Sequence, residues 1–295
     1  MALSNDRNWI VSGEAAGVAT VWNKNTRQNA CTVKEHLDKL YTVDVSPDST
    51  KFATGSRDFR ASIWDISTGR RLIGPLYHDF GVISVRFSPG GDRIATTTWD
   101  HESLRIYNAH NGELLSDIPV TSNARNSIAW SGDSQYIFAL FSNVLRKIQV
   151  DTGSSASEWT LPGETKSETG SIALSSNGKF IASFVGRSLS FWDPHTTHRR
   201  FGPVFDHAGG PLRSITLSSD NTYVATGGEN RIITVRKLNN IIPTSYLASQ
   251  RQVQLEHQVG NGLAADLQRQ IEALRGALHT LEVRFGAFKP LERPV

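Results

Sequence analysis

The chain has 295 residues, 38% hydrophobic and 20% charged, so it is long and apolar enough to bury a core as two ordinary domains or one large repeat domain. With 31 basic and 28 acidic residues the formal net charge is +3, too balanced for a general polyanion binder, and nucleic acid is not an expected partner. The single cysteine, Cys31, excludes an intrachain disulfide and a thiolate metal cluster. The longest apolar run, YIFALF at 136–141, falls far short of the ~20 residues a membrane helix needs. The opening MALSNDRNW has no basic head leading into an apolar stretch. The expected setting is therefore cytoplasmic or nuclear, not secreted, with no membrane partner.

Along the chain a short turn recurs after an alternating apolar stretch: ALSND, VSPDS, FSPGG, WSGDS, LSSNG and LSSDN. Their first serines are Ser4, Ser46, Ser88, Ser131, Ser175 and Ser218, at intervals of 42, 42, 43, 44 and 43. A second landmark keeps step with them, at Trp22, Trp64, Tyr107, Ile148, Trp192 and Arg236. Within a unit, YTVDVS, KFATGS and RASIWD alternate or cluster β-branched and aromatic residues between turn residues, which predicts three or four short antiparallel strands. One such sheet cannot cover both its faces, so neighbours must stack, and radial stacking gives an all-β propeller. Six landmarks predict six blades. A closed six-bladed ring is the first expectation; an open or incomplete seven-bladed ring is the alternative, because residues 1–4 supply only the tail of a first strand. RQVQLEHQV at 251–259 alternates well enough to be that strand, and reads equally as a linker.

The period, together with ATGSRDFRASIWD and SFWDPHTTHRRFGPVFDH, resembles the WD40 repeat family over about residues 1–248. The outer strands TGRRLIGPLYHD and FGPVFDH are also similar to the WD40 arrays of fungal NTPase-linked proteins. The resemblance implies a structural hydrogen-bonded tetrad of His36, Ser56, Asp58 and Trp64 in the second repeat. A partial one follows in the third: His78, Thr98 and Asp100, with Tyr107 in the tryptophan place. The first repeat keeps Trp22 but has Ala16 at the aspartate position; the fifth keeps Trp192 but has Gly186 there and Phe184 at the serine position. The fourth has none of the four, and with the sixth is expected to be a soft point. Serine, histidine and aspartate are also the set of a hydrolytic triad, but a nucleophile must be exposed beside an oxyanion hole, and here the serine is placed mid-strand against an indole. No catalytic residue is expected.

The resemblance further implies a protein-binding loop face at Lys39, Tyr41, Arg57 and Phe59 in the second repeat and Trp99 and His101 in the third, with Asn126, Phe141, Arg213 and Glu229 in the weaker ones. The competing expectation is that the aromatics merely pack between loops. Asp193, His195 and His198 could suggest a metal, but an outer-strand turn makes a poor cage. No Gly-rich phosphate loop occurs, and neither metal nor cofactor is expected.

After a linker at 249–261 the period changes. Leu267, Ile271, Leu274, Leu278, Leu281 and Phe285 form one apolar seam on an expected helix at 262–286, followed by a tail at 287–295. The spacing suits a coiled coil, so self-association or partner-helix binding is expected, with docking on the propeller as the alternative. The function expected is a non-catalytic scaffold for a protein or peptide partner. A nucleic-acid or chromatin-associated platform and a propeller enzyme are the alternatives.

Overall fold

In the computed structural model the chain divides into two units, Met1–Leu247 and Ala248–Val295. The structure describes residues 1–99, 103–119, 127–141, 143–162, 170–196, 200–207 and 210–247. The expected linker, the helix at 262–286 with its seam, and the tail lie outside the described residues, as do Asp100, His101, Asn126 and His198.

The first unit is a six-bladed β-propeller. Blade 1 holds β1 (Ala2–Leu3), β2 (Trp9–Gly13), β3 (Ala19–Asn23) and β4 (Gln28–Val33); blade 2 holds β5 (Leu40–Val45), β6 (Lys51–Ser56), β7 (Arg60–Asp65) and β8 (Arg71–Tyr77). Blade 3 holds β9 (Val82–Phe87), β10 (Arg93–Thr98), β11 (Ser103–Asn108) and β12 (Leu114–Pro119); blade 4 holds β13 (Ser127–Trp130), β14 (Tyr136–Phe141), β15 (Val144–Gln149) and β16 (Ser155–Thr160). Blade 5 holds β17 (Gly170–Leu174), β18 (Ile181–Val185), β19 (Ser188–Trp192) and β20 (Arg200–Asp206). Blade 6 has three described strands, β21 (Leu212–Leu217), β22 (Tyr223–Gly228) and β23 (Ile233–Lys237), followed by the short helix α1 (Thr244–Leu247). Every pairing within a blade is antiparallel and sequential.

The repeating serine has a mechanical task. Its hydroxyl accepts the backbone N–H of the residue five positions on, closing the turn between first and second strands. Ser4 does this for Trp9 at 2.9 Å, Ser46 for Lys51 at 2.9 Å and Ser88 for Arg93 at 3.0 Å. Ser131, Ser175 and Ser218 do the same for Tyr136, Phe180 and Tyr223. A short polar side chain that mimics backbone is what such a turn requires.

Among the described residues five apolar interiors lie between the blades. Val11 and Val21 of blade 1 meet Phe52 and Trp64 of blade 2. Ala53 and Ile63 of blade 2 meet Val82 and Ile94 of blade 3. Leu104 and Ile106 of blade 3 meet Trp130 and Ile137 of blade 4, and Leu140 and Leu145 of blade 4 meet Ile181 and Trp192 of blade 5. Leu189 and Phe191 of blade 5 meet Leu212 and Val224 of blade 6. Polar stitches reinforce the stack. Asn5 Nδ2 donates to the Pro47 carbonyl at 3.0 Å, Asp44 accepts the Phe87 N–H at 2.9 Å, and Trp130 Nε1 donates to the Arg86 carbonyl at 3.1 Å. Ser127 accepts the Ile172 N–H at 3.2 Å, and Asn221 accepts the Ser176 N–H at 2.9 Å.

Candidate functional site

The tetrad of blade 2 closes through Thr54, not through Ser56. Trp64 Nε1 donates to Thr54 Oγ1 at 2.8 Å, and Thr54 Oγ1 lies 2.7 Å from His36 Nε2. His36 Nδ1 lies 2.9 Å from Asp58 Oδ2, which also accepts the Leu37 N–H at 2.9 Å. Every atom is satisfied when Nδ1–H donates to the carboxylate and Nε2 accepts the threonine proton. Thr54, Trp64 and His36 are all buried.

Strand geometry explains the correction. Trp64 is paired directly opposite Phe52, and Phe52, Thr54 and Ser56 share one face of β6. The indole reaches the next residue on that face; Ser56 stands four positions from Phe52, about 13 Å along the strand. Ser56 instead builds the turn, its hydroxyl donating to the Asp38 carbonyl at 3.0 Å and accepting the Asp58 N–H at 3.1 Å.

The same two-residue slip holds in blade 3, where His78 Nε2 meets Thr96 Oγ1 at 2.8 Å rather than Thr98. Tyr107 Oη lies 3.4 Å from that nitrogen, and His78 Nδ1 lies 3.1 Å from the Leu76 carbonyl. Burial pulls the His78 pKa down to about 4, against the opposing hydrogen bond to Leu76. In blade 5 Trp192 Nε1 donates to Ser183 at 3.0 Å, so Ser183 takes the place assigned to Phe184; in blade 1 Trp22 Nε1 donates to Ser12, also at 3.0 Å. Blade 4 fills the corresponding space with Ile137 and Ile148, both buried.

The loop face carries a different surface. Tyr41 and Trp99, from adjacent blades, place their rings 5.8 Å apart at 31° while 39% and 40% of each residue is exposed. Gly81 lets the Arg57 turn come close: a Cβ there would stand 3.2 Å from Arg57 Cα, and the Gly81 carbonyl accepts the Trp99 N–H at 2.8 Å. Phe59 sits in the tight turn at φ 69°, a left-handed conformation that costs a residue with a Cβ, and is 48% exposed. Arg57 Nε lies 3.7 Å from Asp38, and the Arg57 N–H donates to the Lys39 carbonyl at 2.9 Å, so Lys39 and Arg57 flank the aromatic pair. Leu37 and Tyr77 are exposed apolar side chains that sequence reasoning missed, since nothing in the repeat marks them. Arg60 lies 5.6 Å from the Tyr77 ring centre.

The expectations for the weaker blades fare differently. Phe141 is buried between blades 3 and 4 and offers nothing to a partner. Arg213 is ion-paired with Glu229. Asp193 is spent on its own turn and on α1: it accepts the His195 N–H at 2.8 Å and the Tyr246 hydroxyl at 2.9 Å. Among the described residues no cluster of three or more His, Cys, Asp or Glu side chains could hold a metal ion, and no helix is long and apolar enough to cross a membrane. A cavity of about 960 Å³ opens at the opposite end of the first strands, between the serine turns, and is lined by Arg86, Trp130, Lys147 and His195 among others.

The family profile described as WD domain, G-beta repeat matches residues 27–65, 71–108 and 201–235, which take in β4 to β7, β8 to β11, and all but the ends of β20 to β23. These three stretches match WD40 repeats. The chain is 29% identical over 160 residues to the small ribosomal subunit protein RACK1 of Caenorhabditis elegans, a stretch covering 50% of this chain and 48% of that protein. It is 34% identical over 83 residues to the protein SUPPRESSOR OF PHYA-105 1 of Arabidopsis thaliana, covering 28% of this chain and 8% of that one. The matched region thus spans about half the length of the first relative and a small part of the second.

Proposed function

We propose that this WD40 propeller is a non-catalytic scaffold that holds a protein or peptide partner on the loop face of blades 2 and 3. The observation that carries the reading is the half-exposed Tyr41–Trp99 pair, set 5.8 Å apart on rigid strand ends with Lys39, Arg57 and Phe59 around it. Aromatic rings and arginine held on a preformed surface are what protein hot spots are made of. The hydroxyl, imidazole and carboxylate that could suggest hydrolysis are engaged with one another and with backbone. Ser56 gives its proton to the Asp38 carbonyl, so it makes no nucleophile–base pair with His36. The balanced charge and lone cysteine suit a cytoplasmic or nuclear protein.

Tyr41→Asp combined with Trp99→Asp is expected to abolish selective retention of partners from a cell extract, read by mass spectrometry, while the thermal midpoint stays within about 2 °C of the parent. Retention of the same set would remove this face from the proposal. The seam from Leu267 to Phe285 supports a second contact, through self-association or a partner helix. Leu274→Asp with Leu278→Asp should lower the sedimenting mass, and a parent that is already a monomer ends that part.

A further inference from the structure

We propose that the propeller is open between blade 6 and blade 1, and that the opening receives a β-blade of a partner protein. Six blades closed on themselves need six interiors, and the described residues form five, each between successive blades from 1 to 6. On the third strand of a blade, two residues face the next blade. In blade 2 they are Ala61 and Ile63, 1% and 0% exposed; in blade 6 the same places hold Ile233 and Val235, 63% and 60% exposed.

The second strand shows the same contrast. A Cβ added at Gly13 would meet Leu40 and Val43 of blade 2, and one at Gly55 would meet Val82 and Val85 of blade 3. At Gly227, the counterpart in blade 6, it would meet nothing within 4 Å. Blade 1 presents the complementary deficit: Ile10 and Trp22 are half-buried where Phe52 and Trp64 of blade 2 are fully buried.

The occupant must therefore be apolar on both faces, with a strand of Val/Leu character towards Gly227 and a side-chain pair towards Trp22. A β-blade has that form. The fit continues the interface already used five times in this molecule. The flank chooses the charge: Arg231 and Lys237 are exposed beside Ile233 and Val235, which favours an acidic edge on the incoming blade. A second copy docking through this same face would set those cations against each other.

Two measurements on the full chain test this. Val235→Asp should leave the thermal midpoint within about 2 °C of the parent, whereas Ile63→Asp should lower it by more than about 10 °C or prevent folding. A loss at 235 like that at 63 would mean a closed ring and overturn the proposal. In a Cys31→Ser background, Val235→Cys should react rapidly with a maleimide. Joining a copy of residues 34–77 ahead of Met1 through a Gly-Ser linker, as a blade probe, should slow that reaction at least tenfold. Unchanged reactivity in the joined protein overturns the proposal. Slow reaction in the parent also does so: release on dilution would assign the face to a second copy, and release by Leu274→Asp with Leu278→Asp would assign it to the tail.

Discussion

Blades 2 and 4 share a four-stranded plan, and they fill equivalent space with opposite chemistry. Blade 2 runs a hydrogen-bonded chain from Trp64 through Thr54 and His36 to Asp58. Blade 4 shows no such chain among the described residues; on the equivalent face, towards blade 3, Ile137, Ala139, Phe141 and Ile148 fill the space, and all are buried. Expected to be soft for want of the polar set, blade 4 is instead packed with large apolar side chains. A blade's first requirement is thus a filled interface with its neighbours, and the polar chain is one way to fill it. That way demands complete satisfaction, since an unpaired buried polar atom costs more than a paired one returns.

Emptying blade 4 should break the comparison most visibly. Phe141→Ala is expected to cost about 3–5 kcal/mol in urea unfolding, because a cavity would open between blades 3 and 4. A loss under about 1 kcal/mol would show that the blade is loosely filled.

Acid should separate the two kinds of blade. The His78 pKa is lowered to about 4 in the folded protein from an ordinary value of 6.5, so between these values the unfolded chain binds the extra proton. The His78 contribution to stability is therefore whole above pH 6.5 and is lost as the pH drops towards 4, by about 3 kcal/mol across the window, while Asp44, whose pKa burial raises, acts in the opposite direction. The turn carboxylates Asp6 and Asp133, held below the usual range first by Ser4 and Ser131, act only below their ordinary value of 3.8 and do not confuse the reading. His78→Gln should flatten the slope between pH 4.5 and 6.5; an unaltered slope would place its origin elsewhere.

Thr54→Val keeps shape and removes one hydroxyl, stranding the Trp64 N–H and His36 Nε2, and should cost about 2–3 kcal/mol. Ser56→Ala touches only the turn and should cost about 1 kcal/mol. Equal losses would mean that the two hydroxyls do equivalent work. The smallest effect is expected at Phe59, whose left-handed backbone suits asparagine better. Phe59→Asn should raise stability by about 0.5–1 kcal/mol while weakening partner retention, a separation of stability from binding that a structural phenylalanine would not show.

Much of this architecture was legible because its cause is local and repeated. The serine turn is set by residues within five positions, so its 42–44-residue spacing carried the blade count. Tyr41, Phe59 and Trp99 fell on the loop face because strand ends follow from that period. The choice between Thr54 and Ser56 was illegible by parity, since a slip of two residues preserves the face; the pairing of Trp64 with Phe52 decides it. Phe141 was misplaced for another reason. Its hairpin is tight, with Phe141 paired directly to Val144, so the ring stays in the sheet instead of rising into a loop. The uncovered side of blade 6 depends on what packs against it in space, and no local pattern in IITVRK records that.

The most direct test is a thermodynamic cycle in urea combining Thr54→Val with Trp64→Phe, run beside the same cycle on Ser56→Ala. Coupling of at least about 1 kcal/mol is expected for the threonine pair and additivity within about 0.5 kcal/mol for the serine pair. Coupling carried by Ser56, or none at Thr54, would contradict the assignment of the buried chain as scaffolding.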